Sequence, residues 1–215
     1  MNIYVVGSSN KTFSGLDSNR TKFLVDRPHS GDNIDYLNPW YCELTGLYHM
    51  WKNCDDEIVG LEHYRRYFTG RQNDPMDEEI AKMLLANHDV ICVKAPYPEN
   101  VPIVSWIKNN YKYADFQKFL EFARLVAGQK YYDACRAHLN DHWHCLGNLF
   151  VAPKEFCDEY CQFIFGLLER YRDAEHRFGR DLPPRICGYF TEFLFGAWLG
   201  SRNKRIRFGR CRIVL

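Results

Sequence analysis

The chain has 215 residues, with 28 Lys and Arg against 27 Asp and Glu, and 16% Phe, Trp and Tyr. A formal charge of +1 gives no support to a bulk nucleic-acid or membrane-surface role. No apolar run approaches the roughly 18–20 residues that a membrane helix needs, which excludes a spanning segment.

Nine cysteines, with no Cys-x-x-Cys pair and no signal peptide ahead of them, predict reduced thiols and a cytoplasmic protein. Any contact with a membrane is then peripheral. No Gly/Ser-rich or Pro-rich linker divides the chain, so residues 1–215 read as one domain. The abrupt apolar end, IRFGRCRIVL, reads as a domain boundary in a longer polypeptide.

In chain order, residues 1–6 (MNIYVV) predict a strand. The loop Gly7-Ser8-Ser9-Asn10-Lys11-Thr12 lacks the glycine spacing of a phosphate loop, but Gly7 and Ser8 permit close backbone approach to a nucleotide. A short strand is expected at 22–25. Asn38 as N-cap and Pro39 at the first helical position open a helix whose Leu44, Leu47, Tyr48 and Trp51 share a face. Glu43 lies on it, as a solvated carboxylate or a ligand-binding one. Residues 58–61 form a buried strand, with Ile58, Gly60 and Glu62 on one face and Val59, Leu61 and His63 on the other.

A helix at 76–87, with Ile80, Met83 and Leu84 inward, precedes a strand at 89–94. Pro96, Pro98 and Pro102 mark an extended loop of a kind that covers acceptor sites. Helices follow at 103–111, 115–127 and 130–139, a strand ends near 151, and the longest helix spans 154–172. A glycine-containing loop at 185–192 leads into a helix at 193–199, and the chain closes in basic, strand-like residues. Alternating strands and helices predict an α/β fold with a mostly parallel central sheet flanked by helices on both faces.

The strand at 58–61 breaks directly into Glu62-His63-Tyr64-Arg65-Arg66-Tyr67. Such a cluster is poor packing material and good material for an anion, because guanidinium groups grip phosphate oxygens bidentately. Ligands of open α/β sheets lie at the carboxyl ends of strands. A phosphorylated small molecule is therefore expected there.

The run DNIDYLNPWYCELTGLYHMWKN followed by IVGLEHYRRYF resembles the signature of a family of capsular and exopolysaccharide glycosyltransferases. That family was long known only as a domain of unknown function in bacterial polysaccharide clusters, and related enzymes serve viral glycan assembly. The resemblance is dense over residues 32–68 and returns at 147–150 and 185–199. It implies a fold similar to the A-type (GT-A) nucleotide-diphospho-sugar transferases, a UDP-sugar donor and a glycan or glycoprotein acceptor. In that reading His63, Arg65, Arg66 and Tyr67 hold the diphosphate, and Gly7, Ser8, Asp32 and Asn33 contact base or ribose. Asn148 and His144 meet a sugar, and Glu192 deprotonates the acceptor, with Thr191 as helix N-cap and Asp115 as second candidate base.

Many A-type transferases carry a metal on an Asp-x-Asp pair, which this chain lacks. Two readings remain: Glu62 and His63 hold Mn²⁺ or Mg²⁺, or Arg65 and Arg66 replace the metal as charge clamp. His142, His144 and Cys145 fit no standard zinc spacing. Two other functions compete: a non-catalytic nucleotide-sugar or glycan-binding module, and a phosphoryl-transfer enzyme using Arg65 and Arg66. The missing phosphate loop and metal-binding carboxylates count against the second.

Overall fold

The computed structural model describes residues 1–95, 101–110 and 113–214. Pro96 and Pro98 of the expected loop, and Tyr111 of the expected helix, lie outside the described residues. The sheet follows the order β2-β1-β3-β6-β5-β7, built from β1 (Asn2–Gly7), β2 (Arg20–Leu24), β3 (Ile58–His63), β5 (Val90–Lys94), β6 (Cys145–Pro153) and β7 (Ile206–Phe208). β1 runs parallel to β2 and β3, and β7 parallel to β5, while β6 runs antiparallel to both its neighbours. Strands on this path therefore point one way except β6. Along this path the sheet is mostly parallel, as the alternation of elements predicts, with one reversal that the alternation did not show.

Beyond β3 the chain turns at once through Tyr64-Arg65 into β4 (Arg66–Thr69), pairing His63 with Arg66. β4 in turn pairs with β8 (Arg210–Ile213). The basic C-terminal residues thus do not pair with each other as a hairpin. β7 extends the sheet beside β5 and β8 closes the β4 edge.

The faces of the sheet are covered unequally. Val59 and Leu61 of β3 join the large core built with α2 (Leu44–Asn53), α5 (Tyr113–Ala127), α6 (Gln129–Leu139), α7 (Lys154–Arg177) and α8 (Ile186–Ser201). Ile58 joins a smaller core with Ile3, Phe68, Ile91 and Val151 beneath α3 (Glu78–Leu85). The strand alternation assigned from sequence holds. On α3, Ala81 is buried and Ile80 and Leu84 are partly buried, but Met83 is 59% exposed, because it lies on the solvent side of the helix. Gly46 lets α2 lie close on the sheet: a Cβ there would stand 2.6 Å from Val6 Cγ2.

The helix expected from Asn38 onward is two pieces. α1 (Asn38–Tyr41) follows a short 3₁₀ turn with Leu37 as its N-cap, so Asn38 does not cap it; Pro39 keeps its first-turn place. The break is Cys42, a non-glycine residue at φ +51°, and Glu43 then stands at the N-cap of α2. All nine cysteines are free thiols, with Cys157 Sγ 3.7 Å from Cys161 Sγ, close but unbonded. Among the described residues no helix is long and apolar enough to cross a membrane.

Candidate active site

β3 carries its chemistry on both faces. Glu62 is 1% exposed and points into the small core. Its two carboxylate oxygens each accept a 2.9 Å hydrogen bond from the Arg20 guanidinium, and Oε1 also accepts from the Phe68 N–H at 2.9 Å. Arg20 is itself held by Asp17 at 2.8 Å and donates to the Met76 carbonyl. Burial pushes the Glu62 carboxyl up, and Arg20 and the Phe68 N–H draw it back.

His63 faces the other way, into a cavity of about 360 Å³. This cavity is walled by the ends of β3 and β4, by β6, by Glu43 and by the first turns of α8. It gathers Glu62, His63, Arg65, Arg66, His144, Asn148 and Glu192 from the residues singled out in the sequence, with Glu62 turned away into its Arg20 pair. Arg185, Tyr189 and Trp106 line it as well.

Local irregularities aim these side chains. The pairing of β5 with β6 slips between Cys92↔Phe150 and Lys94↔Cys145, and the surplus residues of β6 bulge around Gly147 at φ +57°. Gly147-Asn148 is thus a bulge inside a strand, and the bulge turns Asn148 to the cavity. α8 begins at Ile186, seven residues earlier than the helix expected after a loop over 185–192, with Arg185 as an N-cap in the left-handed region at φ +63°. Thr191 is therefore not a cap. Its hydroxyl donates to the Cys187 and Gly188 carbonyls inside the helix, and Glu192 projects from the second turn, not from the helix start. Arg185 N–H donates to the Pro39 carbonyl at 2.8 Å, tying the α8 start to α1.

The charges in the cavity are not mutually cancelled. Arg65, Arg66 and Arg185 form no ion pair with a carboxylate of the described residues, and Arg66 Nε is buried without a hydrogen-bond partner. Across from them, Glu43 Oε1 accepts a 2.9 Å hydrogen bond from Asn148 Nδ2. With its amide nitrogen so committed, Asn148, 3% exposed, presents a buried Oδ1 with no partner. Burial and the neighbouring Glu43 push the Glu192 carboxyl up to about 8, against the pull of Arg66 and Arg185. Burial, Arg66, Arg65 and Arg185 push His63 down to about 4, and burial and His138 push His144 down to about 4. Both imidazoles are thereby held neutral near pH 7, able to hydrogen-bond but carrying no charge.

This donor set does not fit Mn²⁺ or Mg²⁺ on Glu62 and His63. The Glu62 oxygens are taken by Arg20, and His63 stands among guanidinium groups that repel a cation. Among the described residues no three His, Cys, Asp or Glu side chains are grouped to hold a metal ion.

Several expected residues lie elsewhere. Tyr67 is 6% exposed and its ring lies under Gly15, where a Cβ would stand 2.5 Å from it, so it packs there and does not line the cavity. Asp32 and Asn33 fasten their loop: Asp32 accepts from the Tyr48 hydroxyl at 3.1 Å and Asn33 donates to the His29 and Gly31 carbonyls. Neither reaches the cavity. Asp115 sits in the first turn of α5 and does not line it either. Gly7 and Ser8 are not in its wall, but Gly7 lies against Tyr64, beside His63: a Cβ there would stand 2.8 Å from Tyr64 Cβ. The Gly7 loop therefore borders the β3–β4 turn that forms the cavity rim. Arg185 was missed because a single arginine after two prolines carries no pattern; its role depends on the left-handed cap.

The family described as "Domain of unknown function (DUF4422)" matches residues 4–204. The chain belongs to that family. No curated protein matches it. Among solved structures, the chain is similar to the WbbM bifunctional glycosyltransferase in its apo form, with a TM-score of 0.78 at 19% identity. The likeness covers 99% of this chain and 45% of that one, so this DUF4422 chain spans less than half the length of the structure it matches. At that identity the likeness shows the fold: a central sheet flanked by helices, shared with a glycosyltransferase.

Proposed function

We propose that this DUF4422 chain is a glycosyltransferase that moves a sugar from a nucleoside-diphosphate sugar, uridine-linked, to a hydroxyl of a glycan acceptor. One observation carries the reading. A single cavity sets three guanidinium groups without carboxylate partners against a carboxylate pair and an unpartnered amide oxygen. A ligand that satisfies both sides is anionic at one end and rich in hydroxyl donors at the other, as a sugar diphosphate is. The fold shared with a glycosyltransferase supports the same reading.

In this mechanism Arg65, Arg66 and Arg185 hold the diphosphate and His63 adds a neutral hydrogen bond. The acceptor oxygen forms a bond to the anomeric carbon while its proton passes to the ionised Glu192 carboxylate. The bond from that carbon to the diphosphate oxygen breaks, and its electron pair leaves on the diphosphate, where the guanidinium groups disperse the charge. One base on the acceptor side gives inversion. The arginine clamp takes the place of a divalent cation, and the nine free thiols support a cytoplasmic setting. The Gly7 loop beside Tyr64 lies where base or ribose would extend from the diphosphate.

The test is Glu192→Gln. It is expected to bind UDP as the wild type does by calorimetry and to lose sugar transfer by about 10²–10⁴-fold. Full transfer by this variant would remove the base assignment, and no binding of UDP, GDP or CMP to the wild type, with or without Mn²⁺, would remove the whole reading.

A further inference from the structure

The transfer mechanism uses Glu192 and leaves Glu43 without a task, although its surroundings are built with care. Cys42 at φ +51° breaks the chain between α1 and α2, a conformation that non-glycine residues rarely adopt. The effect of the break is to set Glu43 at the N-cap of α2 without using its side chain as the cap. That side chain leans instead on α8: a Cβ on Gly188 would stand 3.7 Å from Glu43 Oε2 and 3.6 Å from the Tyr41 carbonyl. Gly188 precedes Glu192 by four residues and so shares its helical face. The opposite edge of the Glu43 carboxylate is pinned by Asn148 Nδ2 at 2.9 Å, from the bulge in β6. Three separate elements thus hold Glu43 beside Glu192 in a cavity.

We infer that Glu43, anchored by Asn148 and set against the Glu192 face of α8, is a positioning residue that tunes Glu192 for its task as the base. The inference rests on the transferase reading for its purpose, not for its chemistry. A carboxylate beside another disfavours the charged form of its neighbour, and a hydrogen-bond donor holds it in place to do so. Asn148 gives that donor to Glu43. The other groups facing Glu192 are Arg66 from β4 and Arg185 at the α8 start, which favour its ionised form, Cys42, and the neutral His63 and His144. With a value of about 8, Glu192 is a stronger base than an ordinary carboxylate, and its ionised fraction grows as pH rises through that value. Transfer should therefore climb with pH toward 8 and level above it.

The experiment is a carboxyl ¹³C NMR titration of the full chain labelled at glutamate, with Glu192→Gln assigning the Glu192 signal. Glu43→Gln keeps the shape and can still accept from Asn148, while removing the charge. In it the Glu192 midpoint is expected to fall by about one pH unit or more. Asn148→Ala, which releases the anchor on Glu43, lowers it by less, and the near-isosteric Glu43→Gln keeps the wild-type melting transition. Where transfer is measured, Glu43→Gln retains about tenfold more of its plateau rate than the wild type does well below the limb. A Glu192 midpoint that neither variant moves, or one in the ordinary carboxylate range in the wild type, overturns the inference. Because the titration needs no substrate, a moved midpoint without sugar transfer would sink the transferase reading alone. Transfer whose pH limb ignores Glu43→Gln would sink the pairing alone.

Discussion

On the two faces of β3, neighbouring residues meet opposite fates. Glu62 points to the small core and is closed off by Arg20 in a two-pronged ion pair with every oxygen engaged. His63 points to the cavity, where Arg65, Arg66 and Arg185 face Glu43 and Glu192 without pairing to them. The same residue types serve both places. What differs is satisfaction: one face has spent its hydrogen-bonding capacity on the fold, and the other leaves donors and acceptors unspent at a cavity. Charge in a sequence points to function only where the fold leaves it unspent.

The largest expected effect breaks the closed face. Arg20→Ala strands a buried carboxylate and should cost about 3–5 kcal/mol in chemical denaturation. Replacing the pair together, with Arg20→Met and Glu62→Leu, should recover most of that loss, since well-packed apolar residues often equal a buried ion pair. A mild single variant would mean that Glu62 is less enclosed than its hydrogen bonds indicate, and would reopen it as a ligand.

The open face should answer in binding, not stability. Arg66→Ala is expected to weaken UDP binding by about 1.5–3 kcal/mol, the worth of a charge-assisted hydrogen bond, or roughly 10–100-fold. Its denaturation midpoint should stay within about 0.5 kcal/mol of wild type. Calorimetry beside a urea titration measures both. If Arg66→Ala unfolds the protein and Arg20→Ala spares it, the contrast between the faces is wrong.

That contrast was only half legible in the sequence. Periodicity placed Glu62 and His63 on opposite faces of β3, and the pile of His and Arg at the strand end lies on the cavity side. Nothing in local spacing announced that Arg20, 42 residues upstream, would close over Glu62. Such pairing is set by the parallel register that brings β2 beside β1 and β1 beside β3. The same limit hid Arg185 and the break at Cys42. Both rest on left-handed backbone at non-glycine residues, which no propensity favours. Asp32 and Asn33 misled for the reverse reason, since polar loop residues that fasten a loop to a helix look in sequence like residues awaiting a ligand.

A smaller effect sharpens the comparison through pH. His63 is held neutral, with its value lowered to about 4 from 6.5. As pH falls below 6.5 the unfolded chain takes up this proton first, so stability is lost between pH 6.5 and 4. His63→Gln removes that loss. Between pH 7.5 and 5.5 it should lose about 1 kcal/mol less stability than the wild type, read from urea midpoints at the two pH values. An unchanged pH dependence would mean that His63 is solvated and not lodged among the guanidinium groups.

The smallest effect is expected at Asp115, and it bears on how the site is bounded. A carboxylate in the first turn of α5 is favoured there by the helix dipole, which accounts for it without catalysis. It stands outside the cavity that holds Glu43 and Glu192. Asp115→Asn should therefore change UDP binding and sugar transfer by less than about twofold, with a stability loss of about 0.5 kcal/mol from the weakened dipole interaction. A large loss of transfer with UDP binding intact would place the acceptor against α5, and the proton would then pass to Asp115 and not to Glu192.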